Sequence, residues 1–298
     1  MKKKLIIAGN GAVTDKLLQR LLRDDRFDLC GFMPDNVNKN YSDYYCSVKE
    51  NTVSICDYYE LDKISYDAIF ALEYRKLIPA EIVKKHFFIN CHAGILPKYR
   101  GFHANAWAIM NGENHIGYSI HRMNEKMDDG LLYYVKKIPI SYDQTYADVH
   151  DKMIEDIINN TPDILFNIMN GSWGGVSQEI ESGIIFGHKF SPKLGIITNF
   201  EVEAAYIYNL YRCMARPLGS GIKIKYRDKF YDVNKVILGK NRNVCNYVGI
   251  PGRIVNIDSE GLWVKTSDNV VILGDIIDQD GNKTDVEHNF KIGNSLTE

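Results

Sequence analysis

The sequence predicts an α/β protein, with a doubly wound and mostly parallel sheet followed by a smaller β-rich, barrel-like domain. Three observations carry that expectation. Short apolar runs alternate with helix-spaced leucines through the first hundred residues, as they do in βαβ units. Two segments of alternating polarity, 116–122 and 131–140, flank a charged loop, which is the pattern of an antiparallel pair. Beyond residue 215, short strand-like runs follow one another between turn residues, the spacing of a small all-β unit. At 298 residues the chain has room for two domains, and the expected division is 1–195 and 200–298.

Residues 5–8 read as a buried strand and Gly9-Asn10-Gly11 as the turn after it. Leu17, Leu18, Leu21 and Leu22 share one face of a helix over 14–23. Residues 29–33 form the next strand and 35–45 a polar loop. A strand over 68–72 leads to a helix opened by Pro79, whose fixed φ suits a first helical turn, and then to a strand over 87–90. Thr145 and Asp148 suit a cap ahead of Val149, Met153, Ile154, Ile157 and Ile158, so a long helix follows. Pro162 should kink or restart it. The stretch 171–192 is rich in Gly and Ser, with short strands at most, and 187–195 reads as the connection between domains. One amphipathic helix over 201–214 precedes strands at 222–226, 230–236, 252–257, 262–266 and 270–273.

Composition narrows the function. A formal charge of −2 leaves no electrostatic footprint for general nucleic-acid binding. Lys2-Lys3-Lys4 is followed by only four apolar residues before Gly9, too few for a signal-peptide core or a membrane span. Cys30, Cys46, Cys56, Cys91, Cys213 and Cys245 are scattered without a close pair, so reduced thiols and a cytoplasmic location are expected. His86, His103, His115, His150, His188 and His288 form no ligand spacing, and no metal is expected. Gly9-Asn10-Gly11 is half a dinucleotide fingerprint lacking its third glycine, which disfavours a nicotinamide enzyme.

Chemistry concentrates in Asn90-Cys91-His92-Ala93-Gly94-Ile95-Leu96-Pro97-Lys98-Tyr99-Arg100-Gly101. Asn90 and His92 sit two apart at the end of an apolar strand, so their side chains share a face. Ligands of open parallel sheets bind at the carboxyl ends of strands. A carboxamide can donate to a developing oxyanion while the imidazole handles a proton, although the same pair would also cap the turn before Pro97. Downstream lie Gly117-Tyr118-Ser119-Ile120-His121-Arg122-Met123 and then Asp128-Asp129-Gly130. Alone, Asp128-Asp129-Gly130 is an ordinary hairpin turn, and His121 in an alternating strand reads as structural.

Together the two segments resemble the signature of 10-formyltetrahydrofolate-dependent formyltransferases, Asn-x-His-x-x-x-Leu-Pro-x-Tyr-Arg-Gly followed by Gly-x-Ser-x-His and Asp-x-Gly. The resemblance covers residues 1–140 well and the remainder loosely, and implies a Rossmann-like fold. It also implies a catalytic triad of Asn90, His92 and Asp128, with Asp128 orienting His92 and raising its pKa. Residues 71–79 resemble the folate-pocket segment of the amino-sugar branch, which implies donor contacts from Leu72, Tyr74, Arg75, Leu77 and Ile78, with Asp128. Arg100 and Trp107 would meet the acceptor by the same resemblance, and Arg212 a diphosphate, although a helix-terminal arginine also suits the helix dipole.

The implied reaction moves a formyl group from 10-formyltetrahydrofolate to a primary amine. A nucleotide-linked amino-deoxy sugar is the expected acceptor, dTDP-4-amino-4,6-dideoxyglucose the best guess, for surface polysaccharide such as lipopolysaccharide O-antigen. No nucleic-acid or membrane partner is expected, and a homodimer is left open. Methionyl-tRNA is the competing acceptor. A non-catalytic nucleotide-binding module on the same fold is the competing class, and it would not need Asn90, His92 and Asp128 together.

Overall fold

Residues 5–9 of strand β1 (Lys3–Gly9) are buried throughout, because neighbours line it on both edges and cover both faces. The computed structural model describes residues 1–35, 56–179, 183–217 and 219–297. The expected polar loop at 35–45 and Cys46 therefore lie almost wholly outside the described residues. Helix α1 (Gly11–Leu22) follows β1 and buries Thr14, Leu17, Leu18 and Leu21, starting three residues before the leucine pattern alone indicates. Each of those leucines contributes roughly 1.5–3 kcal/mol by leaving water. Next come β2 (Phe27–Pro34), a 3₁₀ turn (Tyr58–Lys63) capped by Asp57, β3 (Ala68–Leu72), α2 (Ala80–Lys85) and β4 (Phe88–His92).

Strand β5 (Tyr99–Gly101) and helix α3 (Ala104–Met110) then precede β6 (His115–Arg122) and β7 (Leu132–Pro139). The sheet order is β2-β1-β3-β4-β6-β7, parallel from β2 to β4 and antiparallel from β4 to β6. Chain direction from β1 diverges to β2 on one side and β3 on the other, the arrangement of a Rossmann-like sheet. Helix α4 (Tyr146–Met169) continues through Pro162 without the expected restart. Proline removes one backbone donor, but Ile157, Thr161, Ile164 and Leu165 on either side of it are buried and hold the helix together.

Strand β8 (Ile185–Gly187) pairs in parallel with β5, and β9 (Ile196–Ile197) opens the second sheet. Helix α5 (Ala204–Cys213), β10 (Ile222–Tyr226), β11 (Lys229–Leu238), β12 (Ile254–Asp258), β13 (Gly261–Lys265), β14 (Val270–Ile277) and the short α6 (Val286–Asn289) complete the chain. That sheet has the order β12-β13-β14-β11-β10-β9. Ile222, Ile224 and Tyr226 point inward on β10 while Lys223 and Lys225 face out, as an antiparallel strand with one wet face requires. Several charged side chains of this unit are paired: Lys223 with Asp232 at 2.8 Å, Lys225 with Asp228 at 3.1 Å, Lys283 with Asp275 at 3.1 Å, and Arg242 with Glu260.

The chain divides into two compact units. One comprises Met1–Asn105, Ile116–Pro139 and His150–Gly187, the other Ala106–His115, Ile140–Val149 and His188–Glu298. The thiols of Cys30, Cys56, Cys91, Cys213 and Cys245 are free. Among the described residues no helix is long and apolar enough to cross a membrane.

Gly117 is where the first sheet tolerates no side chain. A Cβ there would lie 1.9 Å from the carbonyl oxygen of Lys136 on β7, a backbone atom that cannot move aside. Gly117→Ala is expected to lower stability by about 1–3 kcal/mol, read as an earlier urea midpoint with an unchanged slope. An unchanged midpoint would show that β6 and β7 do not approach this closely.

Candidate active site

Strand register assembles the site. Asn90 pairs opposite His121, and His92 opposite Ser119. Because side chains alternate along strands, these four share one face of adjacent β4 and β6. Ser119 is fully buried, accepting from the Leu96 amide (3.0 Å) and donating to the Gly94 carbonyl (2.7 Å), so it ties down the turn that follows His92. Gly94 is required there: a Cβ would lie 2.5 Å from His92 Nε2.

The Asp128 carboxylate faces both imidazoles. Oδ2 lies 3.5 Å from His92 Nδ1 and accepts from the Gly101 amide at 2.8 Å, and Oδ1 lies 3.4 Å from His121 Nε2. Hydrogen-bond partners assign the protons on each ring. His92 Nε2 lies 2.9 Å from the Tyr99 carbonyl, which can only accept, so Nε2 carries a hydrogen and the free lone pair is on Nδ1, towards Asp128. His121 Nδ1 donates to the Arg122 carbonyl (2.8 Å), leaving Nε2 to accept from Asn90 Nδ2 at 3.1 Å. That contact uses one of the two amide hydrogens of Asn90 and orients the other.

Burial pushes the Asp128 carboxyl up, but the neighbouring His121 and His92 imidazoles and the hydrogen bond from the Gly101 amide outweigh it and hold the group at about 2. For His92 the balance goes the other way. Burial pulls its pKa below the ordinary imidazole value, and the Asp128 charge and the Tyr99 carbonyl oppose this only in part. Asp128 does raise the His92 pKa, as expected, but burial outweighs it, because sequence reveals the neighbouring charge and not the depth of burial. At neutral pH the resting pair is a carboxylate beside a neutral imidazole.

Other expected site residues fall elsewhere. Arg100 is buried, with one terminal nitrogen on Asp129 Oδ1 (2.5 Å) and the other on Gln178 Oε1 (2.8 Å), so it braces a loop instead of reaching an acceptor. Arg212 is 1% exposed and donates to the carbonyls of Gln144 (2.7 Å) and Ser141 (2.9 Å), which removes it from any diphosphate. Trp107 is half-buried, donates to the His188 carbonyl (3.0 Å) and packs edge-on against Phe190.

Of the donor-pocket residues, Leu72 and Ile78 are buried in the core, Arg75 and Leu77 are exposed, and Tyr74 is half-buried. Among the described residues the Tyr74 hydroxyl is buried without a hydrogen-bond partner, an orphaned polar atom that suits a polar ligand. An open cavity of about 530 Å³ lies against the Asp128 loop, lined by Met123, Asn124, Asp129, Gly130 and Gln178 among others. No cluster able to hold a metal occurs among the described residues. His121, Ser119 and Gln178 were not assigned from sequence. The Ser-x-His spacing, matching Asn-x-His in period, was the available signal for the first two.

An amide, two imidazoles and a carboxylate converge beside β4 and β6 of the open sheet, a set able to handle a proton and a developing oxyanion, as group-transfer enzymes require. Residues 52–162 match the family described as formyl transferase, and residues 190–293 match the formyl transferase C-terminal domain. The chain is 32% identical over 217 residues to the bifunctional polymyxin resistance protein ArnA of Wigglesworthia glossinidia brevipalpis, covering 70% of this chain but 31% of that protein. It is 30% identical over 241 residues to the methionyl-tRNA formyltransferase of Malacoplasma penetrans, covering 79% of this chain and 72% of that one. Among solved structures, an N-formyltransferase from Helicobacter canadensis in complex with folinic acid and dTDP-3-aminofucose superposes with a TM-score of 0.68 at 19% identity, covering 92% of this chain and 99% of that one. The chain belongs to the formyl transferase family.

Stability should follow the two shifted groups. Both folded-state pKa values lie below their ordinary values, so each group's contribution is present at higher pH and lost on acidification. His92 takes its toll as pH falls below roughly 6.5. For Asp128 the window runs from about pH 4 down to about pH 2, and the loss is roughly 2 kcal/mol. Urea melts of Asp128→Asn should lack this last decline. Parallel acid profiles for the variant and the parent would contradict the buried, ionised carboxylate.

Proposed function

We propose that the protein transfers a formyl group from 10-formyltetrahydrofolate to the amine of a nucleotide-linked amino-deoxy sugar, with dTDP-4-amino-4,6-dideoxyglucose the acceptor of first choice. The product would serve surface polysaccharide such as lipopolysaccharide O-antigen, and the enzyme would work in the cytoplasm. The observation that carries the reaction is the Asp128 carboxylate held on His92 Nδ1, with Asn90 on the same strand face. The donor supplies a formyl carbon carried as an activated amide.

Asn90 Nδ2 keeps one hydrogen free of His121, and donates it to the formyl oxygen as that atom gains negative charge. His92 Nδ1, neutral at rest, takes the proton that the attacking amine must lose and returns it to the folate N10 as the formyl C–N10 bond breaks and tetrahydrofolate leaves. Asp128 then faces an imidazolium and offsets its charge, while the Tyr99 carbonyl keeps the ring in place through Nε2. Tyr74, whose buried hydroxyl has no hydrogen-bond partner among the described residues, and the loop around Asp128 would hold the donor.

Two observations favour a sugar nucleotide over tRNA. Lys223, Lys225, Arg242 and Lys283 of the second unit are matched with carboxylates, where a tRNA surface needs cations free for phosphates. The Helicobacter canadensis enzyme, whose fold this chain shares, is the complex with dTDP-3-aminofucose. The second reading, methionyl-tRNA formylation, is favoured by the Malacoplasma penetrans relative.

Purified protein supplied with 10-formyltetrahydrofolate should release tetrahydrofolate with a dTDP-4-amino or dTDP-3-amino hexose and not with charged methionyl-tRNA. The apparent KM for the sugar nucleotide should change little between low and moderate salt, because it offers two phosphates. Formylation of methionyl-tRNA alone, falling steeply with salt, would overturn the acceptor assignment and leave the site chemistry standing. With whichever acceptor is used, His92→Ala and Asp128→Ala should each cost on the order of 100-fold or more in kcat with retained fold. Full turnover by Asp128→Ala would remove the carboxylate from the reaction.

A further inference from the structure

Asp128 is not a comfortable residue where it stands. Its φ of 51° lies in the left-handed region, which disfavours side chains other than glycine by about 1 kcal/mol or more. A loop in that state drifts unless its neighbours over-determine it. Three side-chain contacts do so here, and none of them belongs to the reacting set. Gln178 Nε2 donates to the carbonyls of Asp128 (2.9 Å) and Gly130 (2.8 Å), bracketing the turn. Its Oε1 accepts from Arg100, whose other terminal nitrogen holds Asp129.

Consecutive residues of β5 therefore grip consecutive aspartates, Arg100 taking Asp129 and the Gly101 amide taking Asp128. Gln178 is itself anchored. Two residues earlier, Val176 exchanges both backbone hydrogen bonds with Leu132 at the start of β7, at 2.8 and 2.9 Å. The strut thus runs from a strand, through a short extended stretch, to both ends of the turn.

We propose that Gln178 is a positioning residue for Asp128, which it holds on His92 through the two turn carbonyls, with Arg100 and Asp129 locking its amide in place. The proposal rests on the reading of Asp128 as part of the reacting set. Gln178 stands outside the segments matched by either family description, which end at 162 and resume at 190.

Gln178→Met keeps the length of the side chain without its hydrogen bonds. Gln178→Glu keeps the acceptor for Arg100 but turns a carboxylate onto two carbonyl oxygens. Residue 178 is only half-buried in a coil segment, so both variants are expected to fold, and a thermal melt checks this. Imidazole nitrogen NMR of the full-length, ligand-free protein follows His92 directly. In both variants His92 should titrate lower than in the parent, because the carboxylate that partly offsets its burial has moved away.

Turnover is read as tetrahydrofolate release with dTDP-4-amino-4,6-dideoxyglucose as the probe. There kcat should fall about tenfold with KM values nearly unchanged, as misplacement of a reacting group predicts. A His92 titration identical to the parent's would overturn the proposal. A shifted titration with parental kcat would uphold the positioning and overturn instead the place of Asp128 in the reaction. If the parent does not turn over the probe, the acceptor reading fails and the titration alone decides whether Gln178 positions Asp128.

Discussion

A carboxylate withdrawn from water between two imidazoles is the constraint from which the rest of the first unit follows. An ionised carboxyl in such a place costs several kcal/mol unless its surroundings offset the lost water. Asp128 accepts from the Gly101 amide and lies between the His92 and His121 rings, which protonation turns into compensating charges. Each partner then imposes a condition of its own. His92 must come from the end of β4 and His121 from β6, so those two strands must be neighbours in one particular register. Gly101 must present its amide, so the chain after the His92 turn has to double back, which the tie between Ser119 and Gly94 secures. The parallel sheet is the frame that makes these conditions compatible.

Much of this was legible in the sequence, and the reason is periodicity. Asn90 and His92, and separately Ser119 and His121, are spaced by two in apolar runs, which alone puts each pair on one face of a strand. Residues 5–8 of β1 and the whole of β3 are unbroken apolar runs because both faces are covered, and such runs announce themselves. What the spacing does not carry is which strands are adjacent. That is why His121 read as structural although it contacts both Asn90 and Asp128.

A second class of error came from residue type taken without burial. Arg100 and Arg212 have the chemistry of ligand-binding residues, and both instead satisfy polar groups of their own chain. Arg212 also lies near the rings of Tyr142 and Tyr208, a setting that suits a desolvated guanidinium. The net shift of His92 was not legible for the same reason. A nearby charge is visible in a motif, whereas the dielectric around an imidazole is a property of the packed structure.

The interleaving of the two units bears on how the chain is made. Ala106–His115 and Ile140–Val149 belong to the unit whose remaining residues begin at His188. During synthesis, at about 5–20 residues per second, these two segments leave the ribosome several seconds before their partners exist. The nascent chain therefore has to carry them unpaired while the first sheet is already complete up to β7. Contacts of such long sequence separation slow folding. They also tie the second unit's assembly to the first, so a gene cut at the boundary near residue 187 would deprive the later unit of two of its pieces. Shuffling the C-terminal sheet between relatives would have to transplant those two inner segments along with it.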